Sequence, residues 1–402
     1  MKPRLPLTFI LITLTIDAMG IGLILPVMPQ LLQEVEGGTL GEAAVWGGYL
    51  SSTFAAMQFL FGPTVGNFSD RFGRRPVLLV SLGVMAIGYT MMTLAGSIWL
   101  LLSMQILTGI AASTQSTAGA FIADISKPEE KAANFGLMGA AFGVGFVLGP
   151  LIGGVLGEYG SRAPFAAAAL LAAANLIFGA LVMPETVTDA IRRPFSWKRA
   201  NPFGAFANIG SLPSVGWFLA IFFTYEFAFF VYPATWAYFT EARFGWDPAM
   251  IGLSLAAFGI SIAIVQGGLI RVILRRLGEM GTIVYGLVFN VFAFLALALV
   301  TSGTLALILT PLTALGAVVT PALQGIMSKR VPDDSQGELQ GVISSTRSVA
   351  VIFSPLAMTE VFDTFTAAGA PVYQPGAAFF VSMGLMFVCG IFLALGRRPA
   401  AA

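Results

Sequence analysis

Three ionisable side chains stand deep inside apolar stretches of the sequence. Asp17, Glu226 and Arg347 each interrupt a long apolar run, ten residues beyond Leu7, eleven beyond Val215 and ten beyond Gly337. At ~1.5 Å per helical residue, each lies roughly 15 Å from the same end of its run. A charge at mid-bilayer depth costs several kcal/mol, so such residues face aqueous cavities and mark transport or coupling sites. Two carboxylates and one guanidinium hold a net charge of minus one, or zero after a proton binds. Asp17 and Glu226 are therefore the candidates for proton coupling, one acid holding Arg347 while the other takes up and releases a proton. Two other roles fit the same residues: a permanent ion pair tying helices together, or an arginine that anchors an anionic substrate.

Around these charges the apolar runs carry Gln58, Gln105, Gln266, Asn290 and Gln324, whose amides donate and accept, and Tyr225, Phe229, Tyr232 and Trp236, whose rings supply apolar walls. Together they make a candidate substrate cavity, since sites for mostly apolar ligands combine aromatic surface with a few polar groups. For any one of them alone, helix packing is the simpler role. The chain has no His and a single cysteine, Cys389, which removes the common zinc sites and any internal disulfide. No nucleophile with a base partner and no phosphate-cradling strand-to-helix turn is present. The expectation is a protein that is not an enzyme and holds no metal or cofactor.

The elements that position these residues follow from composition. Of 402 residues, 57% are hydrophobic and 10% charged, so the bilayer must be the solvent. A net charge of +1 lacks the basic footprint of a nucleic-acid binder. Leu7 to Leu32 is long enough to cross a ~30 Å hydrocarbon core, which makes it a first span rather than a signal peptide. Further runs cover 44–68, 77–96, 98–123, 133–157, 164–183, 214–239, 249–274, 281–301, 304–327, 338–361 and 376–396. This predicts an all-α membrane protein of twelve transmembrane helices.

Of the 21 basic residues, 18 fall at the termini or in the even-to-odd loops: Lys2, Arg4, Arg71, Arg74, Arg75, Lys127, Lys131, Arg192, Arg193, Lys198, Arg199, Arg271, Arg275, Arg276, Lys329, Arg330, Arg397 and Arg398. Positive charges in short loops stay cytoplasmic, so both termini are expected there. The polar stretch 185–213 divides the chain into bundles 1–184 and 214–402. A shift of 205 residues places Arg71 and Gly73 on Arg276 and Gly278, Gly136 on Gly341, and Pro150 on Pro355. Two pseudo-symmetric six-helix bundles are the expected result. The same shift pairs Asp17 with Phe222, one turn before Glu226.

The segment Gly66-Asn-Phe-Ser-Asp70-Arg71-Phe-Gly73-Arg74-Arg75-Pro76 combines a tight turn, a carboxylate and several guanidiniums with a proline opening the next helix. It resembles the signature loop of the major facilitator superfamily. That resemblance implies a latch at the cytoplasmic ends of the two halves, with Asp70 as its carboxylate; Asp124, at the end of span 4, is expected to join Asp70 and Arg74. The second-half copy, Arg276-Leu-Gly278-Glu279, is degenerate. Span 5 carries Gly139, Gly143, Gly145, Gly149, Pro150, Gly153 and Gly154, similar to the glycine-rich motif of the antiporter branch. Physically, these residues permit close helix approach and a bend.

Asp17-Ala-Met-Gly-Ile-Gly-Leu-Ile, Glu241-Ala-Arg-Phe-Gly-Trp246 and Pro321-Ala-Leu-Gln324-Gly resemble bacterial tetracycline exporters along nearly the whole chain. The resemblance implies proton-coupled antiport, with Asp17 and Asp70 matching the family's acids. It departs at Gly88 and Asn290, where those exporters carry acids, at Gln105 in place of an arginine, and at Ile262 in place of a histidine. The function expected is proton-coupled efflux of a small amphipathic compound or drug by alternating access, from a monomer in the bacterial inner membrane. Its partners are a small-molecule substrate, a proton or other coupling ion, and the bilayer, with no nucleic acid. The alternatives are a carrier of an organic anion or metabolite held by Arg347, and a non-transporting receptor or assembly factor on the same fold.

Overall fold

The structure, a computed structural model, describes residues 4–112, 114–189, 191–207 and 215–396. Lys2, Arg397, Arg398 and positions 190 and 208–213 of the expected linker lie outside the described residues. In chain order the α-helices are α1 (Arg4–Ile24), α2 (Met28–Glu36), α3 (Leu40–Phe72), α4 (Arg74–Thr93), α5 (Ile98–Ala111), α6 (Thr114–Ile125), α7 (Lys131–Gly157), α8 (Ala163–Val182), α9 (Gly204–Ala207), α10 (Gly216–Phe229), α11 (Val231–Phe244), α12 (Pro248–Ile264), α13 (Ile270–Leu299), α14 (Gly303–Thr313), α15 (Val319–Lys329), α16 (Gln336–Thr366) and α17 (Ala377–Leu395).

Among the described residues, ten helical stretches are long and apolar enough to cross a membrane. One of them, Pro248–Leu299, has 52 residues, about 80 Å at ~1.5 Å per residue, and breaks at Gly278 (φ 65°, ψ 177°); it supplies two crossings. Helix α3 has 33 residues, and its Gly, Ser and Gln residues dilute its hydropathy without shortening it. With α3 counted, the crossings number twelve, as the sequence predicts.

The chain splits into two compact units. The first comprises Met1–Gly37, Thr53–Pro202 and Asp247–Ala256; the second comprises Gly38–Ser52, Phe203–Trp246 and Ala257–Ala402. In the first, Phe9, Ile10 and Leu14 of α1 bury against Leu78 and Leu82 of α4 and Ala118, Phe121 and Ile122 of α6. The second is organised by aromatic contacts: Tyr232 lies against Phe258, Phe294 and Phe379 at centroid distances of 5.1, 5.5 and 5.9 Å.

The span 5 glycines explain how α1 and α7 pack. A Cβ on Gly145 would strike Thr15 O and Ala18, one on Gly149 would meet Met19 O at 2.8 Å, and one on Gly153 would strike Leu23. Gly22 answers from α1, where a Cβ would meet the Pro150 ring at 2.6 Å. Gly154 backs onto Pro248 and Ala249 of the same unit, whereas Gly139 and Gly143 face open space. Backbones this close leave no room for a side chain. Gly153→Leu is expected to separate α1 from α7 and destabilise the protein by about 1–3 kcal/mol, the usual cost of overpacking. Gly143→Leu should leave the melting temperature unchanged, and thermal melts of the two purified variants check both.

Candidate functional site

The signature loop is a closed network within the first unit. Gly73 takes φ 115° and ψ 157° as the N-cap of α4, backbone that favours glycine. Arg74 Nη1 donates to Asp70 Oδ1 at 2.6 Å and to Ser69 Oγ at 3.1 Å, while its Nε donates to Asp124 Oδ2 at 3.2 Å. The other Asp70 oxygen accepts from Arg199 at 3.3 Å. Asp70, Arg74 and Asp124 are thus brought together. Arg71 and Arg75 fix neighbouring chain instead: Arg71 O accepts from Arg192 at 3.0 Å, and Arg75 donates to Ala180 O at 2.7 Å. Gly66 contributes an open helix surface within α3.

Two features of this network were not legible beforehand. Glu185, just past α8, accepts from the backbone N–H groups of Arg74 at 2.9 Å and Arg75 at 3.2 Å, so its carboxylate caps the first turn of α4, where negative charge is stabilised. The only hint was its place directly after a span. The start of the expected linker also docks on the loop: Asn67 donates to Ser196 O at 2.7 Å, and Phe195 stacks on Phe68 at 5.2 Å.

In the second unit Gly278 repeats the positive φ of Gly73 at the 205-residue offset. Beside it Glu279 pairs with Lys329 at 2.6 Å. These residues occupy the repeat positions of Arg74 and Asp124, so the ion pair recurs with its charges exchanged. The copy that reads as degenerate in sequence keeps this one ion pair and a positive-φ glycine.

The structure joins Glu226 to Arg347, both in the second unit. Glu226 is buried on α10, and its Oε2 accepts from Arg347 Nε of α16 at 3.2 Å. Its Oε1 accepts from the Thr320 hydroxyl at 2.5 Å, in the first turn of α15. The Arg347 side chain is 61% exposed, so the pair is shut on its acid side and open on its basic side. Thr320 carries no sequence signal marking it for this contact. Asp17 belongs to the first unit, half-buried on α1.

The remaining candidates divide by exposure. Tyr225, Tyr232 and Trp236 are buried in the second unit's core. Tyr225 donates to Gly316 O at 3.1 Å and stacks on the half-buried Phe229. Asn290, fully buried, donates to Gly286 O at 2.8 Å and Gly316 O at 3.0 Å. These contacts hold helices together. Gln105 is half-buried on α5, and Gln324 is half-buried one turn beyond Thr320. Gln58 and Gln266 are exposed, and each donates to a backbone carbonyl, Ala112 O at 2.9 Å and Ala317 O at 3.3 Å.

Comparison with known proteins agrees with this architecture. The sequence profile of the Major Facilitator Superfamily matches residues 10–355. The chain is 40% identical over 389 residues to the tetracycline resistance protein, class C, of Escherichia coli, covering 97% of this chain and 96% of that one. It is 29% identical to multidrug resistance protein 1 of Bacillus subtilis (strain 168), covering 90% and 91%. The crystal structure of the human organic anion transporter MFSD10 (TETRAN) superposes with a TM-score of 0.68 at 25% identity, covering 98% of this chain and 100% of that one. With a profile match over most of its length and such identity to a full-length relative, the chain belongs to the Major Facilitator Superfamily, in the family of the tetracycline resistance proteins.

Proposed function

We propose that this protein is a proton-coupled exporter of a small amphipathic drug of the tetracycline class, working by alternating access in a bacterial inner membrane with both termini and the Asp70 loop on the cytoplasmic side. The Glu226–Arg347–Thr320 cluster carries the reading. A buried carboxylate held by one open-sided guanidinium and one hydroxyl can give up its ionic partner when it takes a proton, linking protonation to the freedom of Arg347. Asp17 is a second proton carrier, and full-length similarity to tetracycline resistance proteins supports the substrate class. In inverted vesicles, a pH gradient is expected to drive tetracycline accumulation, and Asp17→Asn to abolish that accumulation while leaving tetracycline exchange at equal pH intact. Wild-type accumulation unaffected by collapsing the gradient would overturn the coupling.

A second substrate class has specific support. Arg347 exposes most of its side chain, which suits an organic anion, and the similarity to a human organic anion transporter points the same way. Transport of an anionic dye that is lost in Arg347→Ala, with tetracycline not carried, would favour this reading.

A further inference from the structure

Inside a bilayer, a helix can break only where its freed carbonyls find other donors or line a cavity. The fourth and tenth spans both break. Helix α5 ends at Ala111 and Ala112 leaves helical geometry (φ −72°, ψ 51°) before α6; α14 passes through a short tight turn and Ala317 leaves it (φ −75°, ψ 19°) before α15. The turns are built alike: Ala112 N–H donates to Gly109 O at 3.2 Å, and Ala317 N–H donates to Ala314 O at 3.0 Å. Ala112 and Ala317 are 205 residues apart, the offset that relates Gly73 to Gly278.

Each break is served by a glutamine two spans earlier. Gln58 of the second span gives its amide N–H to Ala112 O, and Gln266 of the eighth gives its own to Ala317 O. The chain separations are 54 and 51 residues, so Gln266 sits three residues past the strict repeat position, on the same helix face. It lies in the wide π-helical turn Val265–Leu269, an irregularity that often accompanies function. The neighbouring helices touch at this point in the first unit, where a Cβ on Gly109 would meet Phe54 O at 2.7 Å. Recurrence of one device in two units whose sequences have diverged is not explained by packing, because nothing in packing requires a glutamine at both.

We infer that Gln58 and Gln266 are a matched pair of positioning residues, clasping the breaks in the fourth and tenth spans by the freed Ala112 and Ala317 carbonyls so that those spans hinge there. Each clasp is a single hydrogen bond from an exposed side chain, weak enough to open and close. The inference rests on the transport reading only for its kinetic consequence.

The test is hydrogen–deuterium exchange of the purified full-length protein in nanodiscs, comparing wild type with Gln58→Met and Gln266→Met, which keep side-chain volume and remove the donor. Gln58→Met is expected to speed exchange about five- to tenfold in the peptide around 108–117 and leave 313–321 unchanged; Gln266→Met should do the reverse. Where tetracycline transport is followed in parallel, kcat should fall with KM within twofold. No local change, a uniform rise along the whole chain, or a raised KM with unchanged exchange would overturn the inference. Absence of tetracycline transport in the wild type, with the exchange pattern intact, would count against the substrate proposal alone.

Discussion

Glu226→Gln is expected to remove proton-driven accumulation almost entirely, by more than about tenfold, with only a modest loss of stability. A carboxamide cannot take up and release a proton, so the coupling step through this residue is lost. Its effect on folding is limited by exposure. Breaking a fully buried ion pair costs about 3–5 kcal/mol, but water reaches the 61% exposed Arg347 side chain and stabilises it once unpaired, leaving a cost of about 1–2 kcal/mol. The amide oxygen still accepts from Thr320. A double variant, Glu226→Gln with Arg347→Gln, separates the two possible roles. Removing both charges relieves the unpaired guanidinium, so the melting temperature should recover toward wild type, while transport should not. Recovery of transport together with stability would identify the pair as a permanent tie between α10 and α16 and remove Glu226 from the coupling scheme.

Gly73→Ala is the second substitution expected to act strongly. Two effects add at this position. The backbone sits at φ 115° and ψ 157°, where a residue with a Cβ pays of order 1–3 kcal/mol. The new methyl would also collide with the Glu185 carboxylate, displacing it from the N–H groups of Arg74 and Arg75. Arg74 carries both Asp70 and Asp124, so loosening the start of α4 misplaces the whole network and the chain segment docked on it. Transport should fall about tenfold or more, and limited proteolysis within 185–200 should accelerate. Gly278→Ala is the internal control, for its φ is also positive but its Cβ would meet open space. It should show the backbone cost alone and the smaller loss. Equal effects from the two substitutions would mean that Glu185 contributes nothing to the loop.

Much of the site was readable because it is written in charge and glycine. Asp70, Arg74 and Asp124 come together through residues that can scarcely do anything else at the end of a membrane span, and the pairing of Glu226 with Arg347 was among the arrangements that matched depth allowed. The aromatic candidates were less readable. Tyr225, Tyr232 and Trp236 sit at helical spacings that place them on one flank of the seventh span, but whether that flank meets a cavity or a neighbouring helix depends on α13 and α17, far along the chain. The structure puts them in the core. Glu185, Thr320 and the pairing of Lys329 went unremarked for the converse reason: each acts through a partner 50 or more residues away, and no local pattern encodes that distance.

The sequence by itself therefore determined the solvent, the number of crossings, the internal repeat and the chemistry at the loop, because hydropathy, length and positive φ at glycine are local or one-dimensional properties. Tertiary structure decided which helices break and what holds the breaks. A helix ends inside the bilayer only if some other segment supplies donors for the carbonyls it frees, and for Ala112 and Ala317 those donors, Gln58 and Gln266, come from spans that lie near them only after folding. It decided, too, that one ion pair of the second loop persists with its charges exchanged, since a reversed Glu279–Lys329 pair satisfies the same electrostatics as Arg74–Asp124 while sharing none of its residue types.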